Sequence, residues 1–372
     1  MTGEAAVRRR EPWPVACLAL AVLTAAVLLP APRAEATIRV AERPTWGTDG
    51  TVFATLLTGG RVYLGGAFTA LVSPDGLTRL PRNHLAALDA ATGEPIDWAP
   101  NPDGTVHALA TDGTSLFVGG SFWTIGGQRR RGLAAFTPDG QVVSPWAATT
   151  DGTVMALVAD GDRVYAGGMF THVAGSSRPR LAAFSSAGVL LDWHPEADDR
   201  VLALTMSAGA VIAGGSFDAV DHDGGQEHLV RLDAGSGAIL PWSSHPDAEV
   251  LGLATGPDEA VYAAIGGSGG TVAAWSSTGS SRWHMSLDGD AQAVAFHGGR
   301  VIAGGHWQYL DHDILLPRLA AFDPADGHVD TTWRPRPNKQ IWALTSDGAT
   351  LAVGGAFTSM GGAVRRRVAL LA

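Results

Sequence analysis

The chain has 372 residues, a formal net charge of −10, one cysteine and 48 glycines, and 46% of its residues are hydrophobic. An acidic balance of this size argues against nucleic acid or an anionic membrane surface as a partner held by charge, and a lone cysteine excludes a disulfide framework. The length admits two ordinary domains or one large all-β ring.

Residues 1–36 stand apart. A basic stretch, Arg8-Arg9-Arg10, precedes an apolar run from Pro14 to Leu29 and a small-residue motif, Ala34-Glu35-Ala36. This is the layout of a secretory signal, with cleavage expected after Ala36 and a product that is extracellular or held at the cell surface. The run is shorter than the ~20 apolar residues of a membrane span and is followed closely by Pro30 and Pro32. An uncleaved N-terminal anchor is the alternative, and the one membrane attachment expected. Cys17 lies at the start of the run with Pro14 where a lipoprotein signal wants an aliphatic residue, so lipid attachment is discounted. Removing the four arginines and three glutamates of this leader leaves 22 basic and 33 acidic residues and no cysteine, so burial must supply the stability of residues 37–372.

The remainder is repetitive. Seven aliphatic or small anchors, Val52, Val106, Val154, Val201, Val250, Ala291 and Ile341, are each followed 13 residues later by the first residue of a Gly-Gly pair or its remnant. Those residues are Gly65, Gly119, Gly167, Gly214, Ala263, Gly304 and Gly354. A tryptophan precedes each anchor: Trp98, Trp146, Trp193, Trp242, Trp283 and Trp333 by 8 residues, Trp46 by 6. Periods in the 40s and low 50s mark a propeller or solenoid.

Each unit reads as four short strands. The first carries the anchor (VHALAT), the second the glycine pair (RVYLGGAF), the third a segment such as HLAALDA, and the fourth runs to the tryptophan, as in VLLDW. Gly- and Asp-containing turns divide them. Consecutive apolar residues, as in Val62-Tyr63-Leu64, suit strands covered on both faces. The third residue of every first strand is small (Ala54, Ala108, Ala156, Ala203, Gly252, Ala293, Ala343), as a crowded central axis demands. The glycine pair is expected to admit a large neighbour, with the fourth-strand tryptophan the candidate. The seventh unit stops at Ala372 after its third strand, and TIRVAERPTW, ending at Trp46, reads as an unattached fourth strand. The expected fold is therefore all-β, a seven-bladed β-propeller of four-stranded antiparallel blades over residues 37–372. Its N-terminal strand completes the last blade and closes the ring, and the protein is expected to be a monomer.

Units of the form VxALxxxGxxxYxGGxFT, LAAxDxxTG and W resemble those of secreted bacterial β-propellers common in actinobacteria. These often accompany polycystic-kidney-disease-type domains and resemble the propeller of fungal cortical marker proteins. The likeness covers all of residues 37–372 and is specific for architecture, since that family is largely uncharacterised. A looser likeness is to kelch propellers, although their tryptophan follows the glycines more closely.

Function is expected where the repeats disagree. The loops before the third strands carry Arg82, Arg129, Arg130, Arg131, Arg178, Arg180, Arg318, Arg365, Arg366 and Arg367, and guanidinium suits planar carboxylates and phosphates. Of these, Arg130, Arg131, Arg180, Arg318 and Arg366 are candidate ligand contacts; the alternative is solvated charges pairing with acids of the neighbouring loops, Asp103, Asp151, Asp198, Asp199, Asp247 and Asp288. The residue after each anchor varies (Phe53, His107, Met155, Leu202, Leu251, Gln292, Trp342), and His107 and Gln292 are the polar candidates for lining a central channel. Two triplets, Asp221-His222-Asp223 and Asp311-His312-Asp313, occupy corresponding places in units 4 and 6. Their carboxylates Asp221, Asp223, Asp311 and Asp313 are candidate Ca²⁺ ligands, against a plain reading as Asp-stabilised turns; no other cofactor is expected. The expected function is a binding module for a glycan or protein ligand. The alternative is a propeller hydrolase or lyase, calcium-dependent or not, working on the loop-bearing face; the sialidase box and the vicinal disulfide of quinoproteins are both missing from residues 37–372.

Overall fold

The structure is a computed structural model that describes residue 2 and residues 44–372, apart from 138, 139, 144, 145, 147, 244, 245 and 268. The leader and residues 37–43 of the expected closing strand lie outside the described residues. Those described contain strands, turns and loops and no helix, so none has a helix long and apolar enough to cross a membrane.

Each unit forms an antiparallel sheet. In unit 3 the strands are Val154–Asp160, Arg163–Gly168 and Leu181–Ser185, and the other units repeat the order first–second–third. Among the described residues the fourth strand forms a ladder only in unit 5, as Ser281–Ser286. In units 1, 2, 3, 4 and 6 it shrinks to one bridge, as in Leu88↔Pro95 and Phe184↔Leu190. Pro95 and Pro241 withhold ladder donors in two of these segments. The segment keeps its other task, carrying the tryptophan inward.

The tryptophans and anchors form the seams between units. Trp98 lies between Tyr63 of unit 1 and Phe136 of unit 2, with ring centroids 5.5 and 5.3 Å away and both contacts edge-on. Trp283 likewise lies between Tyr262 of unit 5 and Phe322 of unit 6, here tilted against the first at 6.1 Å and stacked on the second at 5.9 Å. The buried apolar residues fall into clusters that each span two consecutive units, such as units 2 and 3 around Trp146 or units 3 and 4 around Trp193. One of them joins the two ends of the repeat: Val52, Leu64 and Leu88 of unit 1 pack with Ala352, Val368 and Leu370 of unit 7, and Trp46 packs against that cluster. There Thr55 and Thr345 also hydrogen-bond, 3.0 Å apart. A small sheet gains its stability from an apolar face that is covered; here each sheet covers the apolar face of the next.

The glycine pair has a different neighbour from the one its spacing suggests. A methyl group added at Gly65 would lie 2.5 Å from Val106 Cγ1, the anchor of the following unit. Gly167 meets Val201 in the same way at 2.5 Å, and Gly354 meets Val52 at 2.7 Å. The first glycine thus receives the next unit's anchor, not the tryptophan. The second glycine presses on its own sheet: a methyl group at Gly168 would overlap the carbonyl oxygen of Thr153. The tryptophan is accommodated by the glycine of the third-to-fourth strand turn, as at Gly140 against Trp98 and Gly327 against Trp283. Unit 5 supplies the exception that fits the rule. Its pairing sets Ala264, one residue beyond the sequence spacing, opposite Gly252 in the place of the first glycine, and the anchor of the following unit, Ala291, is the only alanine among the seven and lies in the same apolar cluster.

Candidate functional site

Every first strand slips register at one place. The pairing skips from Val52 to Ala54, from Val106 to Ala108, and likewise in all seven units. The skipped residues are Phe53, His107, Met155, Leu202, Leu251, Gln292 and Trp342, the varying positions of the repeat. A bulge leaves one residue outside the ladder and re-aims its side chain. All seven line a single cavity of about 180 Å³, together with the small residues that follow them. His107 and Gln292 are therefore brought together with the other five around one axial cavity.

Its wall is two-sided. Phe53 stacks on His107 at 5.6 Å and meets Trp342 edge-on at 5.7 Å, so units 7, 1 and 2 present aromatic rings, with Gln292 of unit 6 beside them in the repeat. Units 3, 4 and 5 present Met155, Leu202 and Leu251. Burial lowers the pKa of His107, which favours the neutral ring.

The loop acids that precede the first strands have a role the sequence did not disclose. Asp49 accepts from the amides of Thr69 and Ala70, Asp103 from Trp123 and Thr124, Asp151 from Thr171 and His172, Asp198 from Asp218 and Ala219, and Asp288 from Gln308 and Tyr309. Asn338 serves Thr358 and Ser359 in unit 7. These carboxylates hold the long loop after the second strand; pairing with arginine is confined to cases such as Asp49 with Arg79. Partial burial would raise the Asp103 carboxyl, but the Thr124 and Trp123 amides outweigh it and hold it below the usual range, and Asp288 behaves alike.

The five candidate arginines do not converge. Arg130 donates to the Arg129 carbonyl and to Gln128, Arg180 to the Met169 and Phe170 carbonyls, and Arg318 to the Pro337 carbonyl. Arg366 lies against Gly76 of unit 1. Arg180, Arg318 and Arg367 share a left-handed backbone (φ 67, 67 and 68°) at the residue before the third strand, where His84 and His228 also stand (φ 59 and 62°). That conformation is unfavourable for side-chain-bearing residues, and at Arg180 the guanidinium returns to nearby carbonyls.

Arg131 differs. It lines a cleft of about 490 Å³ between the loops of units 2 and 3, with Trp123, Arg129, Thr149, Asp151 and His172. Its guanidinium stands 4.2 Å from the centroid of the Trp123 ring, which is 49% exposed. Trp123 and His172 escaped the sequence reading, which named Arg129 among the loop arginines but not among the ligand candidates. The available signal was the repeat itself, since units 1, 3 and 7 carry Thr69, Thr171 and Thr358 in place of Trp123.

The Asp-His-Asp triplets are turns. Asp221, His222, Asp311 and His312 have positive φ (50, 65, 44 and 69°), Asp221 accepts from the Glu196 amide, and Asp223 accepts from the Gly225 amide. Among the described residues no three or more His, Cys, Asp or Glu side chains are grouped to hold a metal ion, Asp313 included.

A family model described as outer membrane protein assembly factor BamB matches residues 225–369, and one described as a domain of unknown function (DUF5122) beta-propeller matches residues 115–142. Among solved structures, U3-55K is similar with a TM-score of 0.60 at 15% identity, covering 90% of this chain and 99% of that one. The WD40 beta-propeller domain of Doa1 aligns at 0.56 and 11% identity over 91% and 97% of the two chains. The fold is a β-propeller. A computationally designed protein, Ika8, aligns over 90% of this chain and 99% of its own at a TM-score of 0.54 and 14% identity. No curated protein sequence matches this chain. Identities this low speak for the propeller and not for any activity.

Proposed function

We propose that this propeller is a secreted or cell-surface binding module for a glycan or protein ligand, a monomer whose seven blades close into one ring. The observation that carries the reading is the set of seven non-repeating side chains at seven bulges around one cavity. The frame around them repeats, and a selected binding surface is where a repeat protein departs from its own pattern. Closure is supported by the apolar cluster that packs unit 1, unit 7 and Trp46 together, and by Val52 filling the space over Gly354. Export rests on the layout of residues 1–36, and the acidic net charge turns the chain away from nucleic acid.

The test is a thermal-shift screen against neutral and acidic glycans and envelope proteins, repeated on a His107→Leu, Gln292→Leu double variant. A ligand that raises the melting temperature of the protein, and raises it less in the variant, supports the reading. If nothing shifts the melt at millimolar concentration, the binding-module reading fails. Turnover of a ligand that does bind would move the protein among the propeller enzymes.

A further inference from the structure

We propose that the cleft between the loops of units 2 and 3 binds a carboxylated sugar, a uronate unit of an acidic glycan, its carboxylate held by Arg129 and Arg131 and its ring by Trp123. This rests on the binding-module reading and names its ligand class and subsite.

The starting point is that Trp123 departs from the repeat without a structural return. Its amide makes the same bond as its counterparts, donating to the Asp103 carboxylate at 2.7 Å, so the backbone occupies the repeat position. Only the side chain differs. Threonines fill that position in units 1, 3 and 7, and those of units 1 and 3 donate to the capping aspartate. Tryptophan forgoes that bond and leaves 49% of itself in water. An exposed indole is a platform for a ring with an apolar face.

Arg129 departs from the repeat as well: its position is Pro81 in unit 1, Ser177 in unit 3, Leu315 in unit 6 and Val364 in unit 7, whereas the position of Arg131 is Asn83, Pro179 and Pro317 in units 1, 3 and 6 and again arginine, Arg366, in unit 7. Arg131 is braced by donating to the Asp151 carbonyl and by resting on the indole at 4.2 Å, within the range of a cation–π contact. Neither Arg129 nor Arg131 has a carboxylate partner among the described residues. In a chain of net charge −10, two guanidiniums without an ion-pair partner, facing the single Asp151 carboxylate of the cleft, form an anion-attracting patch, and their planar forks match a carboxylate.

The opposite wall is polar. The Asp151 carboxylate accepts from the Thr171 amide and hydroxyl and from the His172 amide, and lies 3.2 Å from the His172 ring. Partial burial works to raise its pKa, but those bonds overrule it and keep it ionised. With Asp103 turned to its own amides, the nearby acids are committed to the loops. His172, 55% exposed at its side chain, and Thr149 can meet sugar hydroxyls. A volume of about 490 Å³ falls inside the range of small-ligand pockets, roughly 300–1,000 Å³.

The experiment is calorimetric titration of the protein at low salt with a galacturonate oligomer, its methyl ester and a glutamate oligomer of equal charge. The uronate oligomer is expected to bind, and the ester and the peptide at least about tenfold more weakly. Trp123→Thr, the residue that units 1 and 3 use, and Arg129→Ser are each expected to weaken uronate binding about tenfold with an unchanged melting temperature. Failure of the uronate oligomer to bind overturns the proposal, and so does equal binding of the glutamate oligomer, which would make the cleft a peptide site. Uronate binding indifferent to both substitutions puts the ligand elsewhere: the cleft proposal falls while the binding-module reading stands. That reading falls separately, if no ligand engages the protein at all.

Discussion

The seams between units and the openings of the axial cavity and rim cleft obey opposite rules. At a seam every atom is determined by the neighbour: a missing methyl group on one unit is filled by a methyl group of the next, as at Gly167 and Val201. At the bulges and in the cleft the backbone is just as regular, but the side chains are not, running from Phe53 to Gln292 and from Thr69 to Trp123. Seam contacts and variable side chains therefore occupy different residues of the same strands, next to each other at Val52 and Phe53. The practical lesson is that a substitution can be assigned to one or the other before any assay.

The sharpest way to break this division is at the second glycine. Gly168→Ala sets a methyl group against the Thr153 carbonyl, a backbone atom of its own ladder. The expected loss is about 3 kcal/mol in denaturant unfolding; a variant within 0.5 kcal/mol of the parent, a change typical of surface positions, would end the steric account. Gly167→Ala, pressing on the flexible Val201 side chain, should cost about 2 kcal/mol. Because Ala264 and Ala291 already form an alanine–alanine seam, adding Val201→Ala should give a double variant better than the sum of the two single losses by about 1 kcal/mol. Strict additivity would show that the two positions are not coupled.

Smaller effects belong to the loops. Asp288→Ala removes the acceptor for the Gln308 and Tyr309 amides and should cost about 1–2 kcal/mol. Because the folded carboxyl pKa is lowered, this contribution is present above the unfolded value and fades as pH falls through the folded one. The variant and parent should thus converge in melting temperature in strong acid; a constant gap would contradict the cap. His107 has a folded pKa below its unfolded one, so its contribution is full above about pH 6.5 and is lost as the medium becomes more acidic. His107→Gln should flatten the melting curve between neutral pH and about pH 5.5, with the remaining slope owed to His297, likewise lowered by burial. Identical pH profiles would remove the axial histidine from the account. Last, calcium or chelator should leave the melting temperature unmoved; a rise with calcium that Asp223→Asn abolishes would return the triplets to the list of metal sites.

Much of the frame was legible because steric periodicity is written directly into residue types. Glycine, small residue and tryptophan recur wherever units meet, and the propeller follows from them. The partner of the glycine was not legible, since Val106 and Trp98 lie at equally regular spacings from Gly65 and only three dimensions tell them apart. Nor was the bulge, which slips the pairing of a six-residue strand by one position and leaves no mark in composition. The caps joining Asp103 to Trp123 span two strands, beyond any local motif. The fourth strands were over-read: Pro95 and Leu190 each pair at a single bridge. The variable axial positions were visible as variability, whereas the cleft was hidden because Trp123 resembled surplus among twelve tryptophans.

Six interchangeable seams raise a question of order, because a repeat chain can pair any unit with any other of the same shape. The Ala264–Ala291 seam answers it as an odd tooth does on a gear. A valine anchor set against Ala264 would collide, and Ala291 set against a glycine would leave a hole. Unit 6 therefore fits well after unit 5 alone. A growing chain that slipped by a whole unit, or borrowed a blade from another molecule, would carry a misfit at that tooth, and one altered seam thus gives a near-regular repeat a starting mark.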